Sequence, residues 1–119
     1  MPLANRHWSF NPLVLSGAPD EPGVYALLED DEIIYYGCAL QGSTIQSALQ
    51  EILMRVREGR AGCLQRVNRY TWEITYRPRL REAELLREFE LANRHLPRCN
   101  QSPLKASAAP VVAGQRRNS

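Results

Sequence analysis

Lysine is nearly missing from this chain of 119 residues: of its fifteen cationic side chains fourteen are Arg, and the one Lys is Lys105. Histidine is scarce too. His7 and His95 stand isolated, which argues against a metal-ligand role for either. The three cysteines, Cys38, Cys63 and Cys99, are odd in number and far apart, with no Cys-x-x-Cys or Cys/His spacing of a zinc site. They are expected to be reduced, at least two of them structural. No apolar run approaches the length of a membrane span, and Met1 to Phe10 lacks the charged-then-apolar pattern of a signal. The expectation is therefore a soluble cytoplasmic protein with no membrane partner. The length allows one domain with a modest core, not two. Hydrophobic content of 44% and charged content of 24% are ordinary for a globular chain.

The net charge of +2 hides a segregation. Residues 1–54 carry one Arg and seven acids; residues 55–98 carry eleven Arg and six acids; the tail adds three cations. Arg suits a planar, bidentate grip on phosphate. The same enrichment also arises from codon bias, or from Arg/Glu pairs solvating a helix surface. Charge alone leaves nucleic-acid contact open.

Residues 1–20 read as an irregular lead-in, because Pro12, Gly17 and Pro19 oppose regular structure. Trp8 and Phe10 are expected to cover one edge of the core. Pro22 to Gly37 reads as a β-hairpin, its arms rich in β-branched and aromatic residues around an acidic triplet, Glu29-Asp30-Asp31. A three-residue loop would set Tyr25 directly opposite Tyr35, bringing two phenols onto one patch. Two aromatics packing in a sheet would look the same. A helix follows, with Ser43 and Gln46 as a capping box and Ile45, Leu49, Ile52, Leu53 and Val56 on one face. Tyr70 to Tyr76 alternates as a strand whose aromatic stripe, Tyr70, Trp72, Ile74 and Tyr76, suits a core more than base stacking. A second helix runs from about Leu80 to Asn93, with Leu85, Phe89, Ala92 and Leu96 as its buried stripe. Residues 101–119 read as a disordered basic tail, with Lys105, Arg116 and Arg117 able to add salt-sensitive affinity for a polyanion. The order β-β-α-β-α predicts an α+β domain over residues 21–100: a small mixed three-stranded sheet with helices packed on it.

Gly23-Val24-Tyr25 and Tyr35-Tyr36-Gly37, nine residues apart, resemble the two signature tripeptides of the GIY-YIG nuclease family. The segment Glu88 to Asn100, ending Pro97-Arg98-Cys99-Asn100, is similar to that family's closing motif, and the resemblance covers roughly residues 20–100. It implies a metal-dependent endonuclease that hydrolyses phosphodiesters in DNA or RNA. Tyr25 and Tyr35 would position or deprotonate the water, Glu88 would hold one Mg²⁺ or Mn²⁺, and Asn100 would complete the catalytic set. Helical phase sets Glu88 about 60° from the centre of the Leu85/Phe89/Ala92 stripe, a rim position from which a carboxylate can enter a cleft. Glu84, one turn earlier, is a second candidate, and a solvated Glu on an Arg/Glu-laced helix is the plain alternative.

The first helix departs from the family pattern. Cys38 stands where members carry Lys or Arg, Ala48 aligns with the catalytic Arg, and Ile52 with a His. Arg55 and Arg57 are the candidate replacements, and Arg94 and Arg98 complete the expected nucleic-acid contacts. A lost phosphoryl stabiliser is commonly worth about 10²-fold in rate. The alternative is therefore a catalytically impaired GIY-YIG-like domain serving as a nucleic-acid-binding or protein-interaction module. A chain this short is expected to take its targeting from a protein partner or to have none.

Overall fold

The computed structural model describes residues 6–40 and 42–101. Four strands form one sheet in the order β1-β4-β2-β3, every neighbouring pair antiparallel. They are β1 (Trp8–Ser9), β2 (Gly23–Glu29), β3 (Glu32–Cys38) and β4 (Arg69–Ile74). Three helices, α1 (Pro12–Leu15), α2 (Ile45–Arg57) and α3 (Pro78–Asn93), and two 3₁₀ turns at Gly62–Leu64 and Arg98–Asn100 complete the elements among the described residues. The fold is α+β as expected, with two corrections. The sheet has four strands, because Trp8 leaves the supposedly irregular lead-in to pair with Tyr70 and stack on Trp72 at 5.7 Å. It is antiparallel, not mixed, because β3 and β4, which run in the same direction, flank β2 and never pair. The expected basic tail lies outside the described residues beyond Gln101. Among the described residues no helix is long and apolar enough to cross a membrane.

The hairpin register also differs from expectation. The loop is Asp30-Asp31, with Asp30 in the left-handed region at φ 56° and clasped by Asn68: its backbone N–H donates to Asn68 Oδ1 at 2.8 Å, and Asn68 Nδ2 donates to Asp30 Oδ1 at 3.0 Å. A bulge between Leu27 and Leu28 then shifts the pairing, so Tyr25 sits opposite Gly37, and Leu27 opposite Tyr35. Two residues on the bulged strand face one on its partner. Tyr25 and Tyr35 still share a face, with ring centroids 6.4 Å apart.

Each face of the sheet carries its own core. In one, Tyr25, Leu27, Ile34 and Tyr70 cluster with Ile45 and Leu49 of α2; in the other, Val24, Ala26 and Tyr36 cluster with Leu85 of α3. The cap of α2 is Thr44 paired with Ser47, one position beyond the expected Ser43 and Gln46. In α3 Leu85 is buried and Phe89 half-buried, but Ala92 is exposed, so the apolar stripe is shorter than its periodicity suggested. Of the expected aromatic stripe only Tyr70 and Trp72 join the core, while Ile74 and, beyond the strand's end, Tyr76 are exposed.

The cysteines are not all reduced. Cys63 and Cys99 form a disulfide, with Cα atoms 5.7 Å apart, joining the two 3₁₀ turns. Cys38 is free.

Candidate active site

The open end of the hairpin, where β2 begins and β3 ends, is also where β4 ends and α3 begins. Both signature glycines serve this convergence. A Cβ on Gly23 would stand 2.3 Å from the Glu73 carbonyl oxygen and 2.5 Å from Ile45 Cδ1, so only glycine lets β2 approach β4 and α2 so closely. A Cβ on Gly37 would stand 2.6 Å from the Tyr25 hydroxyl oxygen. The Tyr25 ring lies across the space that the missing side chain leaves.

Here opens a cavity of about 630 Å³ whose walls include Tyr25, Tyr35, Cys38, Glu51, Arg55 and Glu82, with Arg79 on its rim. Ala48 and Ile52, the positions aligned with the family's Arg and His, line it as well. The Cys38 Sγ lies 3.7 Å from Glu82 Oε1, close enough for the thiol to donate to the carboxylate. Burial pushes the Tyr35 phenol up to about 12, with Glu82 and Cys38 adding to the rise and Arg55 opposing it. Burial raises Tyr25 further still, followed by the fields of Tyr35, Cys38, Glu82 and Glu51. Both hydroxyls therefore stay protonated at neutral pH. They can orient a water or a phosphate oxygen by hydrogen bonding; neither is a ready phenolate base.

Glu88 is elsewhere. It lines a separate groove with Arg81, Glu73, Glu84 and Arg87, and its carboxylate lies 3.9 Å from Arg81 Nη1. The expectation that Glu88 meets the two phenols is thus corrected, and the reason is helical geometry. Glu82 and Glu88 lie three residues either side of Leu85, about 60° to its left and right at 100° per residue, so phase alone cannot choose between the rims. Axial position does choose: Glu88 is six residues beyond Glu82, about 9 Å further from the helix start that abuts the cavity. Glu84 sits in the Arg81 groove too.

Asn100 is likewise committed to the frame. Its Oδ1 accepts the Tyr36 N–H at 2.9 Å and its Nδ2 donates to the Tyr36 carbonyl at 3.1 Å. A side-chain amide thereby pairs the free edge of β3 as a further strand would. Of the expected phosphate contacts, Arg55 reaches the cavity, where it also pairs with Glu51 at 3.5 Å. Arg57 lines a different groove with Leu53 and Met54. Arg98 bridges the hairpin tip through Glu29 and Glu32, and Arg94 ends α3 in the left-handed conformation, φ 67°. Sequence reasoning missed Arg79, Glu51 and Glu82. The signal for Arg79 and Glu82 was Pro78, a preferred first helical residue, which starts α3 beside the hairpin's open end.

Among the described residues no group of three or more His, Cys, Asp or Glu side chains could cage a metal ion. The donor chemistry nevertheless fits Mg²⁺ or Mn²⁺: such hard ions are held by one or two carboxylates, with water and substrate phosphate completing the shell. Glu51 and Glu82 are the cavity carboxylates that could hold such an ion. Comparisons with protein-family models, with curated proteins and with solved structures return no match.

Proposed function

We propose that the chain is a GIY-YIG-type metal-dependent endonuclease, cleaving DNA or RNA in the Tyr25/Tyr35 cavity. The observation that carries this reading is the convergence of one buried and one half-buried phenol, the Glu82 carboxylate and two guanidinium groups on one 630 Å³ space. Tyr25 and Tyr35, both neutral, orient the attacking water. Glu82 holds the ion, and Arg55 and Arg79 neutralise the phosphate as charge develops on its oxygens. Bound there, Mg²⁺ or Mn²⁺ supplies Lewis acidity and a water of lowered pKa. Asn100 acts at a distance, fixing the Tyr36 backbone and through it the neighbouring Tyr35. A cytoplasmic location and a targeting partner belong to the same proposal, although a disulfide is commoner in oxidising compartments. The test is incubation with single- and double-stranded DNA and RNA in Mg²⁺ or Mn²⁺. Cleavage that Glu82→Gln lowers about 10²-fold is expected; no cleavage of any substrate would end the reading.

One observation favours the second reading, a nucleic-acid-binding module with impaired catalysis. Cys38 and Ala48 occupy cavity walls where the family pattern has cations. Cys38→Arg with Ala48→Arg separates the two readings. Cleavage that appears only in this variant favours impairment, whereas a wild type already active favours the enzyme.

A further inference from the structure

Beside the cavity lies a groove of about 540 Å³ that shares Leu40, Ser43 and Arg79 with it. Its apolar floor and walls include Pro22, Pro78 and Leu80. Tyr76 stands at its edge with 82% of its surface exposed, on the turn between β4 and α3. Nothing in the fold requires a ring there, since the β4 stripe leaves the core after Trp72. Arg77 and Arg79 flank the same groove, and neither has a carboxylate partner among the described residues. This differs from Arg55, Arg66, Arg81 and Arg98, all of which pair with Glu side chains.

An exposed aromatic ring that shares a groove with two guanidinium groups lacking carboxylate partners is complementary to a nucleotide. A base stacks on such a ring whatever its identity, and cations hold its phosphate. A base inside a duplex is already stacked on both sides and offers only its edges to a protein, so the ring needs an unpaired base. Resting on the nuclease reading of the adjoining cavity, we propose that this groove binds one unpaired nucleotide next to the scissile phosphate, its base on Tyr76 and its phosphate between Arg77 and Arg79. The substrate would then be a single strand or a junction with a displaced base, not a continuous duplex.

The test uses the full chain with Glu82→Gln to prevent cleavage, and short oligonucleotides carrying a fluorescent adenine analogue. Single strands should bind and quench the fluorophore by stacking. Tyr76→Ala should weaken single-strand binding about tenfold and remove the quench, while Tyr76→Phe keeps both. Arg77→Ala should lower the salt slope by about 0.7, as expected for one phosphate contact on a single strand. A continuous duplex should show no dependence on Tyr76. Single-strand binding and quenching unchanged in Tyr76→Ala, or no single-strand binding at all, overturn the proposal. The two readings fail separately. Cleavage by the wild-type chain that ignores Tyr76 sinks only the groove, and Tyr76-dependent quenching without cleavage by the wild type sinks only the hydrolysis.

Discussion

The two rims of α3 carry the same side chain to different ends. On one rim Glu82 lies beside Cys38 in the cavity of the two phenols, Tyr25 buried and Tyr35 half-buried, at the open end of the hairpin. On the other, Glu88 joins Glu73 and Glu84 around Arg81, whose side chain is only 12% exposed and whose guanidinium is held charged chiefly by the Glu73 hydrogen bond. The first rim gathers carboxylate and phenol hydroxyls against a cavity. The second satisfies its carboxylates with one nearly buried cation. A glutamate's use here is set by what the sheet places opposite it, and a motif spacing cannot carry that information.

The comparison can be broken from outside α3 first. Reducing the Cys63–Cys99 bond, which closes a sequence separation of 36, should cost about 3–4 kcal/mol in chain entropy. It should also loosen Asn100, the neighbour of Cys99 that clamps Tyr36, so denaturant unfolding with and without a thiol reductant should show the loss. Arg81→Leu strikes the ion-paired rim alone. It leaves Glu73 without its bidentate partner and should cost about 2–3 kcal/mol, allowing for the solvent that reaches Glu73. Gly37→Ala strikes the other rim: its Cβ collides with the Tyr25 ring, for about 1–3 kcal/mol and a displaced phenol. Melting curves of these two variants, read beside cleavage, should separate the rims, since Arg81→Leu spares the cavity and Gly37→Ala does not.

Alkaline pH gives the smallest of these effects. The Tyr35 phenol is raised from 10.0 to about 12, so its neutral form is favoured in the fold. That contribution is whole below about pH 10 and is lost as pH climbs through 12, because the unfolded chain releases the proton first. Tyr35→Phe should flatten this part of the alkaline decline in stability. On the proposal that this phenol orients the water and is not its base, Tyr35→Phe should not abolish a basic limb in cleavage near pH 10.

Much of the frame was legible in the sequence because periodicity reports burial. The hairpin, α2, β4 and α3 lie where alternation and helical spacing put them, and the paired tyrosines share a face. The register was not legible, since it depends on a bulge at Leu27/Leu28 and a two-residue loop that Asn68, 38 residues away, holds in place. β1 was missed because two residues carry no alternation. The disulfide was missed because Cys63 and Cys99 become neighbours only once the Arg98–Asn100 turn packs beside the Gly62–Leu64 turn. Asn100 was read as a site residue, though its amide spans the Tyr36 backbone, and this long-range pairing leaves no mark on local spacing. That Glu88 lies outside the phenol cavity was not legible either, because Glu82 and Glu88 sit symmetrically about Leu85.

The most direct test is a side-by-side measurement of Mn²⁺-supported cleavage of a single-stranded oligonucleotide by Glu82→Gln and Glu88→Gln. A loss of about 10²-fold or more in Glu82→Gln, with Glu88→Gln within about threefold of the wild type, is the expected result. The reverse pattern, Glu88→Gln dead and Glu82→Gln active, would contradict it and return the metal to the other rim.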